Sequence, residues 1–86
     1  MEFEFDRKKS EANKSKHGID FVEAQALWDG EMTVLRVRIE PEPRFIVIGL
    51  LDGRHWTAIV TYRKDVTRII SVRRSRKEEV QIHGAS

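Results

Sequence analysis

Eight basic side chains, Arg54, Arg63, Lys64, Arg68, Arg73, Arg74, Arg76 and Lys77, stand in a 24-residue stretch whose one acidic residue is Asp65. The local excess is +7, whereas the whole chain of 86 residues carries only +2. A basic stripe inside a nearly neutral chain is the electrostatic footprint of a polyanion-binding face. The alternative, on charge alone, is a solvated strand face. The residue type adds to it. Seven of the 10 arginines lie from Arg44 onwards. A planar guanidinium makes two parallel hydrogen bonds to phosphate, where an ammonium offers a point charge. The segment Arg68 to Lys77 is therefore read as a surface for RNA phosphates. The structural alternative is that Arg68 is salt-bridged across a sheet and that Arg76 pairs with Glu79.

A second candidate is the corner Lys16-His17-Gly18. A histidine at a helix C-terminus meets the negative end of the helix dipole, which favours its protonated ring, while Lys16 opposes that charge. Such a ring can act as acid or base near neutral pH. The alternative is a polar cap that bonds backbone carbonyls. Trp28 and Trp56 read as core, with base stacking as the alternative. Other chemistries drop out. The chain has no cysteine, so no disulfide or thiolate metal site can form. Its five glycines are isolated, which excludes a glycine-rich phosphate loop. His17, His55 and His83 lack the paired spacing with carboxylates that zinc requires. No metal site and no cofactor are expected.

These residues need a scaffold. The length allows one domain, 1–86, and the composition, 40% hydrophobic and 35% charged, lies in the globular range. The acidic start, Met1 to Asp6, lacks the basic and apolar regions of a signal peptide. The longest apolar run, Phe45 to Leu51, is strand-sized, so a cytoplasmic protein without membrane contact is expected. Phe3 and Phe5 alternate with acids in an extended lead-in. Asp6 can cap a helix over Arg7 to Lys16, which Gly18 ends. Asp20 with Glu23 forms a capping box for a second helix, which carries Phe21, Ala24 and Leu27 and stops at Gly30.

The period then becomes two. Strands are read at Thr33 to Ile39, Arg44 to Leu51, Trp56 to Tyr62 and Thr67 to Val72, with Asp52-Gly53 as a hairpin turn. Ser75 with Glu78 reads as a capping box for a short helix to about Ile82. The expected fold is α+β: two N-terminal helices, a four-stranded antiparallel meander, and a short C-terminal helix. In the last strand, strict alternation puts Ile69, Ser71 and Arg73 on one face and Arg68, Ile70, Val72 and Arg74 on the other. At the junction with the helix alternation ends, and there Arg73 and Arg74 can converge on one phosphate.

With these segments in place, the chain resembles the BrnT family of toxins. The likeness rests on Phe3-Glu4-Phe5-Asp6, Lys9, Asn13, Lys16 to Phe21, Ala24, Leu27-Trp28-Asp29, Arg44 to Gly49, and Arg63 to Val80 with its Arg68-Ile69-Ile70-Ser71 block. The resemblance implies a RelE-like fold and a metal-independent ribonuclease that inhibits translation. It also implies a cognate ribbon-helix-helix antitoxin, operator DNA bound only through the complex of the two, and a homodimer within that complex. Cleavage needs a base for the 2′-hydroxyl, an acid for the 5′-oxygen, and cations for the phosphorane. Arg63, Arg68, Arg73 and Arg74 fit the cationic role, and His17 and Glu79 the proton transfers. Lys16, Arg54, Lys64, Arg76 and Lys77 are expected to contact RNA. One departure stands out: the family's usual C-terminal tyrosine is either replaced by His83 or absent. The competing class is a non-catalytic module that holds nucleic acid, or the antitoxin, on the same basic face.

Overall fold

The computed structural model describes residues 1–85. The chain runs β1 (Glu2–Glu4), α1 (Arg7–His17), α2 (Phe21–Ala24), a 3-10 turn (Gln25–Asp29), β2 (Met32–Arg38), β3 (Arg44–Leu51), β4 (Arg54–Arg63), β5 (Val66–Arg74) and α3 (Lys77–Ala85). The sheet order is β1-β5-β4-β3-β2. The antiparallel meander is therefore part of a larger, mixed sheet. The lead-in read from Phe3 and Phe5 is a fifth strand, and it pairs parallel to β5 through Phe3 and Thr67. A three-residue edge strand gives too short an alternation to be read from sequence. The second N-terminal helix is also shorter than expected. Its α-helical part is one turn, and it tightens into the 3-10 turn before Gly30.

Local signals set the boundaries. The Asp6 carboxylate accepts from the Lys9 N–H, and Gly18, at φ 82°, ends α1 in the left-handed region. The Asp20 and Glu23 side chains each accept from the other's backbone N–H. Asp52 and Gly53, both at positive φ, make the tight β3–β4 turn. The expected Ser75–Glu78 box does not form. Glu79 instead reaches back to the Arg76 N–H, while the Ser75 hydroxyl bonds Thr57 across the sheet.

The core lies between the sheet and the N-terminal helices. Ile19, Phe21, Ala24 and Leu27 pack on Val47, Trp56, Ala58, Val60, Ile69 and Val72. Ile69 and Val72 cannot share a face in a regular strand. They do so here because Ile59 pairs Ser71 while Val60 pairs Ile69, which leaves Ile70 as a bulge. The alternation expected for this strand is corrected accordingly. Arg68, Ser71 and Arg73 share the face opposite the core, and Val72 and Arg74 take the core face. α3 crosses one end of the opposite face, over β2 and β3.

Among the described residues, no strand neighbours the outer edge of β5 beyond Arg68. The Asn13 side chain, buried on α1, takes its place. It accepts from the Val72 N–H and donates to the carbonyls of Val72 and Ile19. One amide thus satisfies three buried backbone groups and fixes α1 to β5. Asn13→Ala should lower the free energy of unfolding by about 2–3 kcal/mol, because those groups lose their partners without gaining water. Asn13→Asp, which cannot donate, should cost at least as much at neutral pH. Urea titration checks both, and a loss below about 0.5 kcal/mol in either would contradict this role.

Candidate functional site

Glu79 is 8% exposed, and its carboxylate gathers three elements. Arg73 on β5 donates to both oxygens, at 2.7 and 2.9 Å. Thr57 on β4 donates its hydroxyl at 3.0 Å, and the Arg76 N–H closes the start of α3 at 2.8 Å. The Arg73 guanidinium, with further help from Arg76 and Thr57, outweighs burial and holds the carboxyl down at about 2. The same contact raises Arg73 above its ordinary value. Glu79 is thus a fixed anion whose hydrogen-bonding capacity is largely filled. The guanidinium it holds is oriented by a two-point grip, and its side chain keeps 20% exposure.

Two histidines complete this face. His55 lies two residues before Thr57 on β4 and points the same way. α3 carries His83 over the sheet, where its ring meets that of His55 edge-to-face at 5.3 Å. The Nδ1 of His83 lies 3.0 Å from the Thr33 hydroxyl on β2. Sequence spacing does not link residues 55 and 83. The signal available was the helix-start position of Glu79, which places His83 one turn further along the same helix face. Among the described residues, no three His, Asp or Glu side chains converge as metal ligands would.

The remaining sequence candidates divide between faces and ends of the sheet. Arg73 and Arg74 do not converge. Arg74 takes the core face, where its guanidinium lies 5.4 Å from the Trp56 ring centre and its Nε donates to the His55 carbonyl. His17 ends α1 on that same side, so the sheet separates it from Glu79. Beside it a cleft of about 290 Å3 is lined by Gly18, Ile19, Glu23, Leu51, Asp52, Arg54 and Trp56. Lys16 is exposed on α1, and Arg76 and Lys77 are exposed where α3 begins. Arg63 and Lys64 lie at the other end of the sheet. Arg63 pairs with Glu42 at 3.0 Å, and Arg68 with Glu4 at 3.6 Å across β1 and β5. The six residue steps from Thr57 to Arg63 along the strand correspond to about 20 Å. One phosphate cannot meet both ends.

A family model described as "Ribonuclease toxin, BrnT, of type II toxin-antitoxin system" matches residues 5–79. The match runs from just before α1 to the Glu79 carboxylate and stops short of His83. No curated protein matches the chain.

The anchoring of Glu79 has a pH signature. Its carboxyl titrates near 2 in the folded protein and near 4.5 when free of its partners. The stability it contributes is therefore fully present above about pH 4.5 and is lost as pH falls towards 2. At about 1.4 kcal/mol per unit, the contribution is about 3 kcal/mol. Unfolding free energies measured between pH 5 and 2 should fall for the native sequence. They should show a shallower slope for Glu79→Gln, which starts from lower stability at pH 7. Equal slopes would remove Glu79 as the anchor.

Proposed function

The chain belongs to the BrnT family of ribonuclease toxins of type II toxin–antitoxin systems, and from that premise we propose that it cleaves RNA, without a metal, at the sheet end where Glu79 holds Arg73. The observation that carries this reading is the two-point Arg73–Glu79 pair with the His55–His83 pair beside it. An oriented guanidinium is a preorganised donor for the charge that develops on a phosphorane. Imidazole is the side chain suited to take and return protons near neutral pH. One of the two rings removes the proton of the ribose 2′-hydroxyl, whose oxygen attacks the adjacent phosphorus. The other protonates the departing 5′-oxygen. The products are a 2′,3′-cyclic phosphate and a 5′-hydroxyl. Glu79, with its acceptor sites largely filled and its carboxyl ionised at working pH, positions Arg73 and transfers no proton.

The exposed cations Arg76 and Lys77 hold the flanking phosphates on this reading, with Arg54 and Arg74 at the edge of the same sheet end. Arg63, Lys64 and Arg68 serve a more distant part of the strand. His17 and Lys16 end α1 on the other face, just before the cleft residue Gly18. We also infer that 1–86 acts as one toxin domain in the cytoplasm. Its cognate ribbon-helix-helix antitoxin would neutralise it, and a complex containing a toxin dimer would repress the shared operon. No helix among the described residues is long and apolar enough to cross a membrane.

Purified protein should cleave RNA in excess EDTA and leave cyclic phosphate ends. Arg73→Ala should slow single-turnover cleavage by about 10²–10³. His55→Ala and His83→Ala should each slow it by about 10²–10⁴. The double variant Arg73→Ala with Arg74→Ala should fold and lose growth inhibition. A folded double variant with full toxicity would overturn the site. RNA that is retained but left intact would make the protein a binding module. Activity abolished by EDTA and restored by Mg²⁺ would end the metal-free reading.

A further inference from the structure

The cleft on the core side of the sheet end lies one strand residue from His55 and is not used by the chemistry above. Its volume, about 290 Å3, is at the small end of ligand pockets and suits one nucleoside. Ile19, Leu51 and Trp56 give it apolar walls, and the Arg74 guanidinium lies over the Trp56 ring. The rim carries both signs of charge: Glu23 and Asp52 can only accept hydrogen bonds when ionised, and Arg54 can only donate. Glu23 is already committed to the Lys14 ammonium at 2.7 Å and the Asp20 N–H at 3.0 Å. Among the described residues, neither the Asp52 nor the Arg54 side chain has a hydrogen bond or ion pair.

An anion would meet Asp52 and Glu23, and a cation would meet Arg54. The rim instead fits a flat neutral group with two donors along one edge and two acceptors along another. Among the bases, guanine alone has that pattern: N1–H and N2–H₂ side by side, and O6 with N7. Adenine would turn its N1 lone pair towards the carboxylate. The positions are built in. Asp52, at φ 53°, and Gly53, at φ 76°, form the two-residue turn from β3 into β4, and Arg54 follows directly.

We propose that this cleft is the base-recognition subsite of the ribonuclease and takes a guanine, read by Asp52 at N1 and N2 and by Arg54 at O6 and N7. The assignment rests on the ribonuclease reading above. It names a base of the bound strand, held on the face of the sheet opposite Glu79.

Two measurements test it. The first compares kcat/KM on short oligoribonucleotides that differ at one position, which holds guanosine, inosine or adenosine. The native protein should favour guanosine over adenosine by about 10- to 100-fold, the discrimination of a good bidentate base contact, with inosine between them. Asp52→Asn should collapse that ratio towards one; asparagine tolerates the left-handed turn position, so the fold should survive. The second measurement is calorimetric binding of 5′-GMP and 5′-AMP, which needs no cleavage. Selective GMP binding that is lost in Asp52→Asn and Arg54→Ala supports the subsite even if no oligonucleotide is cut, in which case the ribonuclease reading fails and the subsite stands. Equal guanosine and adenosine cleavage overturns the subsite and leaves the ribonuclease intact. So does equal or absent binding of the two nucleotides. Loss of antitoxin binding in the two variants, without nucleotide selectivity, would assign the cleft to the partner and also overturn it.

Discussion

A carboxylate removed from water cannot stay ionised unless other groups replace its hydration. Glu79 meets that requirement with donors from three separate places: a guanidinium from β5, a hydroxyl from β4, and the N–H of Arg76 just before α3. The consequence is mechanical as well as electrostatic. The start of α3 is fixed to the sheet, so the helix must cross the face opposite the core, and His83 arrives over β2 beside His55. Without this anchor, the helix would have only its side-chain packing to set its direction.

The bulge at Ile70 is the second constraint. Without it, β5 would keep one alternation along its length, and Ile69 and Val72 could not both enter the core between sheet and N-terminal helices. The extra residue lets the strand bury both and still present Arg68, Ser71 and Arg73 on the other face. The bulge thus gives the core its two aliphatic residues and the site its arginine. It also decides which face each of the two neighbouring arginines takes, Arg73 opposite the core and Arg74 on the core side. Arg73 is locked into an ion pair, and Arg74 lies against Trp56 and the edge of the sheet.

Asn13 does for the helix layer what Glu79 does for α3. The outer edge of β5 is paired by β1 only over Val66 to Arg68. Past that point an unpaired strand edge would need water or another strand. A single amide from α1 supplies both a donor and an acceptor to Val72. The N-terminal helices therefore sit where the core needs them, and the cleft between Gly18, Trp56 and the β3–β4 turn follows from that placement.

Much of this was legible in the residues. Asp6, Gly18, the Asp20–Glu23 box and Asp52-Gly53 act over three or four positions, so their sequence spacing is their geometry. The basic stripe and its arginine bias also needed no fold to be seen. Tertiary structure decided the rest. The bulge is a compromise between strand register and core burial. The parallel edge strand β1 depends on β5 being free to receive it. The meeting of His55 and His83, and the division of the arginines between two faces and two ends of the sheet, depend on where α3 is anchored. Local sequence sets the charge and the caps because those forces act within a turn; which side chains share a site is set by contacts between residues far apart in the chain.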